Sequence, residues 1–68
     1  MSSLLKDSLN IELTALLERQ EEVTKTLFGS TTITTTESNL LTKQLTLLLD
    51  LIITYKSRIE LLEAACHE

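Results

Sequence analysis

Leu41, Leu45, Leu48, Ile52, Tyr55, Ile59, Leu62 and Cys66 recur at alternating spacings of four and three residues through the second half of the chain. That spacing is the a/d repeat of a helix packing one side against another helix, and it does not fit the two-residue period of a strand. A weaker copy runs through the first half as Lys6, Leu9, Leu13, Leu16, Gln20, Val23 and Leu27. The copies become complementary when the chain folds back on itself. Partners whose numbers add to 68 bring Leu27 to Leu41, Val23 to Leu45, Leu16 to Ile52 and Leu9 to Ile59. Each a position of one helix then lies against a d position of the other.

Local signals divide the chain in the same way. It has no proline, and Gly29 is its one glycine, falling directly after the first repeat ends. Gly29 reads as the left-handed residue that closes a first helix over about residues 3–28. Ser2 or Ser3 reads as its N-cap, with Asp7 toward the favourable end of the dipole. Residues 29–34 form the turn; the threonine run has strand propensity but no second strand to pair with. Thr34-Thr35-Thr36-Glu37 fits a capping box that starts a second helix over about residues 35–66. So short a connection favours antiparallel neighbours. The expected fold is all-α: one antiparallel, coiled-coil-like two-helix hairpin, completed into a bundle of four or more helices by partner chains.

The reason for expecting partners is an excess of apolar surface. A chain of 68 residues buries only about 60% of its unfolded surface, so a lone hairpin is marginal. The first helix roughly confines its apolar residues to one stripe in its second half, where Glu18, Arg19, Glu21, Glu22 and Lys25 read as a solvated face with a Glu21–Lys25 ion pair. The second helix does not. Beside its seam it carries Leu40, Leu47, Leu51 and Leu61 on one flank, and Leu49 and Ile53 on another. Burying six such side chains is worth, as an upper estimate, on the order of 10 kcal/mol, comparable to the stability of a whole domain. Leu4, Leu5, Ile11 and Leu17 extend the expected partner interface onto the first helix.

Charge and composition exclude several roles. Ten acids against six bases give a net charge of −4. Nucleic-acid and anionic-membrane binding need basic residues concentrated on one face. The densest apolar run, Leu45 to Ile53, contains Asp50 and is far short of the roughly 20 residues that span a bilayer. Hydrophobic residues at 43% argue against disorder. The single cysteine excludes an internal disulfide, and residues 1–17 show no secretory pattern, so a cytoplasmic or nuclear location is expected.

Little chemistry is available. Phosphate-binding glycine loops, Ser/His/Asp triads and Cys/His zinc spacing are absent from the sequence. Glu60, Glu63 and His67 share one face, yet Cys66 occupies the position a Glu-x-x-His di-iron site would need. They read as a polar helix end, and Cys66 as a small core residue. Asp50 reads as a solvent-facing f position, Gln20 as a polar member of the seam opposite Leu48, and Lys6 as a snorkelling side chain at the open end. Tyr55 is expected to bury its ring and send its hydroxyl to the seam edge. Ser30 and the Thr31–Thr36 run are phosphate acceptors only in the sense that a phosphate there would suit the dipole of the second helix.

The sequence therefore leads to a non-catalytic structural subunit of a larger coiled-coil assembly, of the kind found by fold analogy in cytoskeletal, kinetochore and tethering complexes. No cofactor, metal, nucleic acid, membrane insertion or small-molecule substrate is expected. The alternative is a homodimeric four-helix-bundle adaptor or small regulator. Asymmetry separates the two, since a homodimer needs outer stripes that are self-complementary about a twofold axis.

Overall fold

In a computed structural model the chain forms two helices, α1 over Ser2–Gly29 and α2 over Thr35–Cys66, that pack against each other as an antiparallel hairpin. The structure describes residues 2–29 and 31–66, with the side chains of residues 4–29 and 31–65. Among the described residues there is no strand. Helices of 28 and 32 residues are about 42 and 48 Å long at 1.5 Å per residue, and the hairpin measures 53 × 15 × 13 Å. Two cross-helix bonds fix the register. Tyr55 donates to a Glu12 carboxylate oxygen at 2.6 Å, and the Lys6 ammonium lies 3.8 Å from Glu63. Their residue numbers add to 67 and 69, on either side of the register in which facing seam positions add to 68.

The ends of the helices follow local chemistry, with one correction. The backbone N–H of Glu37 donates to the Thr34 hydroxyl at 3.1 Å, and the N–H of Ser38 donates to the Thr34 carbonyl at 2.9 Å. Thr34 thus caps α2: its carbonyl accepts the first intrahelical bond, and its hydroxyl satisfies one of the amides that a helix start leaves without partners. Ile33, just before it, is half-buried at the closed end of the hairpin. Gly29 is not a left-handed closing residue: it is the last residue of α1, and no described residue has a positive φ. A Cβ built on it would meet nothing within 4 Å, so neither backbone nor packing at this position demands glycine. At the other end α1 is already helical at Ser2; the side chains of Ser2 and Ser3 lie outside the described residues, and Asp7 falls beyond the first turn, which contains no acid.

The core is one residue deep. Leu9, Val23, Leu48, Ile52 and Ile59 are the buried hydrophobic side chains. Around them Leu13, Leu16, Leu27, Leu41, Leu45, Tyr55 and Leu62 are half-buried, as are Lys6 and Gln20. Among the described side chains, the one further half-buried residue on α1 is Thr24, and on α2 it is Ser38. Threonine, a middling helix former, is accommodated by back-bonding. The hydroxyls of Thr14, Thr24, Thr26, Thr42, Thr46 and Thr54 each donate to the carbonyl four residues earlier at 2.8–3.0 Å. Each hydroxyl is then satisfied within its own helix.

Candidate functional site

The hairpin interface leaves a large set of apolar side chains outside it. Leu4, Leu5, Ile11 and Leu17 on α1, and Leu40, Leu47, Leu49, Leu51, Ile53 and Leu61 on α2, are all exposed, Leu47 at 59% and Leu61 at 71%. Phe28 joins them at 77%; sequence reasoning placed it on no face, although its position directly after Leu27 in the seam already pointed it about 100° away. A compact protein of 7.7 kDa exposes roughly 4,300 Å², whereas this hairpin exposes 5231 Å². The excess, about 900 Å², is close to the share of ~800 Å² that one partner contributes to a stable interface.

The exposed aliphatics of α2 are ordered rather than scattered. With Leu45 and Ile52 as a and Leu48 and Tyr55 as d, the row Leu40, Leu47, Thr54 and Leu61 occupies the c positions, and Gln44, Leu51, Arg58 and Ala65 occupy the g positions. Successive members alternate at four and three residues, as in the buried seam. This second stripe is centred about 110° around the helix from the first, at 100° per residue. It runs over 40–65, about 38 Å at 1.5 Å per residue, and every member is exposed. Leu49 and Ile53 lie on the opposite flank, and Asp50 lies exposed with Lys43 and Ser57 on the one polar row between.

The second stripe meets α1 along one open groove lined by Leu5, Leu9, Arg58, Leu61 and Leu62. Next to it Glu12, Ala15, Leu16, Arg19 and Tyr55 line another. Tyr55 joins the two sides: its hydroxyl donates to Glu12, and the Arg58 guanidinium lies 5.6 Å from its ring centroid, within cation–π range. The hydrogen bond to Glu12 holds the phenol above its ordinary pKa, because ionisation would lose the bond and set two anions side by side; partial burial and the Glu12 charge act in the same direction, and Arg58 opposes them. This gives the Tyr55 hydroxyl a partner at the seam edge. Surface pairs complete the electrostatics, with Lys25 3.6 Å from Glu21 and Arg19 3.9 Å from Glu22, each worth a few tenths of a kcal/mol.

His67 lies outside the described residues, as do Ser30 and the Cys66 side chain. Glu63 turns to Lys6 across the open end. Among the described residues no three His, Cys, Asp or Glu side chains converge on a point where a metal would sit, and no helix is long and apolar enough to cross a membrane. No protein-family model, curated protein or solved structure matches the chain.

Proposed function

We propose that this chain is a non-catalytic structural subunit whose hairpin packs, through its outer faces, with helices of other chains in a larger coiled-coil assembly. The observation that carries this reading is the second heptad stripe of α2, left exposed after the first has been used against α1. In water an exposed face this rich in leucine marks an interaction surface, and a helix apolar on more than one side is normally covered on more than one side. Light scattering after size exclusion, with circular dichroism over a concentration series, tests it. The chain alone is expected to be helical but polydisperse, associating as concentration rises. A helical monomer that stays monomeric at high concentration would overturn the reading. A discrete, highly helical dimer would replace it with the homodimeric bundle.

A further inference from the structure

Taking that subunit reading as its basis, we infer that the second stripe of α2 receives one α-helix of a different chain, with apolar heptads of its own and a carboxylate facing Arg58. The spacing defines the occupant as a helix. A row repeating every three and four residues over 40–65 meets knobs of the same period, which neither a strand nor an irregular segment presents. About four heptads of partner helix cover it.

The charge pattern defines which helix. Of the stripe's polar members, Thr54 is satisfied by the Asp50 carbonyl at 2.9 Å and needs nothing from outside. Arg58 is different. Among the described residues it has no ion pair, and its recorded interaction is with the Tyr55 ring. No acid lies on the stripe. The carboxylate nearest in the Tyr55 network, on Glu12, already accepts the tyrosine hydroxyl. A guanidinium covered by a partner keeps its charge and requires an anion in that partner.

A second copy does not supply one from the same stripe. Parallel pairing sets Arg58 against Arg58. Antiparallel pairing sets it against Leu47 when Leu51 meets Thr54, and against Leu40 when Leu47 meets Leu51. In each of these registers the residue set directly against Arg58 carries no carboxylate. A foreign helix with Glu or Asp at the facing position supplies one, and a wrong partner is rejected by leaving the charge unpaired.

Synthetic helical peptides provide the probe: leucine at both core positions of each heptad, one glutamate moved heptad by heptad along the series, and a matching series with lysine. One glutamate peptide is expected to bind about tenfold or more tightly than its lysine counterpart. Arg58→Glu should invert that preference, Arg58→Ala should erase it, and Leu47→Asp should abolish binding of both series while the hairpin stays helical. Should Leu47→Asp lose helix, Arg58→Ala carries the test alone, since it removes no apolar side chain. Equal binding of the two series, with Arg58 snorkelling to the rim, would overturn this inference and leave the subunit reading standing. So would a discrete homodimer that no peptide displaces, with the second copy then the occupant. A stable helical monomer that binds neither series would overturn both.

Discussion

The two heptad stripes of α2 have the same spacing and opposite fates. Leu48, Ile52 and Ile59 on the first are buried against α1, whereas Leu47, Leu51 and Leu61 on the second are exposed. The helix itself does not make the difference. It comes from α1, whose apolar residues match one stripe in register and offer nothing continuous to the other. Periodicity thus states how many helices a helix is built to meet. Only the partner's own pattern states which of them belong to the same chain.

The sharpest way to break this comparison is to put the same charge into each stripe. Leu48→Asp places an unpaired carboxylate in the seam and should cost about 3 kcal/mol or more, which unfolds a hairpin this small. Leu47→Asp, one residue away, should change hairpin stability by no more than about 1 kcal/mol, mostly through helix propensity, while weakening association. Circular dichroism at low concentration and light scattering at high concentration separate the two effects. Equal loss of helix in both variants would mean that folding and assembly are one step and that the inner and outer faces are not energetically distinct.

The cap and the glycine are smaller tests that act on both stripes at once, so they calibrate what a change outside either stripe costs. Thr34→Ala removes the hydroxyl that receives the Glu37 N–H and should lower the melting stability by about 1 kcal/mol. Gly29→Ala should raise it, by roughly 0.4–1 kcal/mol, because the backbone there is helical and the added methyl meets open space. A destabilised Gly29→Ala would mean that α1 closes in a left-handed turn after all.

How far the molecule was legible beforehand divides along the same line. The hairpin could be read because four-three spacing, a lone glycine and a capping threonine all agree on one division of the chain, a consistency across levels that few alternative folds share. The conformation of Gly29 could not, since a glycine signals permission for a positive φ and not its use. The outer stripe was legible as four leucines, Leu40, Leu47, Leu51 and Leu61, on one flank. Gln44, Thr54 and Arg58 interrupt its hydropathy, and it becomes one row only when position is considered apart from polarity. Lys6–Glu63 and Tyr55–Glu12 required the register first, since pairs 57 and 43 residues apart carry no local signal.

Tyr55 stands where the two stripes meet, and its titration offers the finest test of how they are joined. Its folded-state pKa is raised above the ordinary value near 10, first by the hydrogen bond to Glu12. A raised acid favours the folded state while it keeps its proton. The contribution is therefore fully present below the unfolded value and is lost as pH climbs through the folded one. The melting temperature should fall on the alkaline side of pH 10, and Tyr55→Phe should show a shallower fall because it has no proton to lose. The difference between the two proteins, and not either curve alone, reports the bond. If the curves are parallel, Glu12 and Tyr55 do not pair in solution and the seam edge is open. If they diverge, the phenol clamps α1 to α2 at the point where the Arg58 guanidinium lies over its ring. An Arg58→Ala background should then widen the divergence, since the guanidinium opposes the rise of the tyrosine pKa.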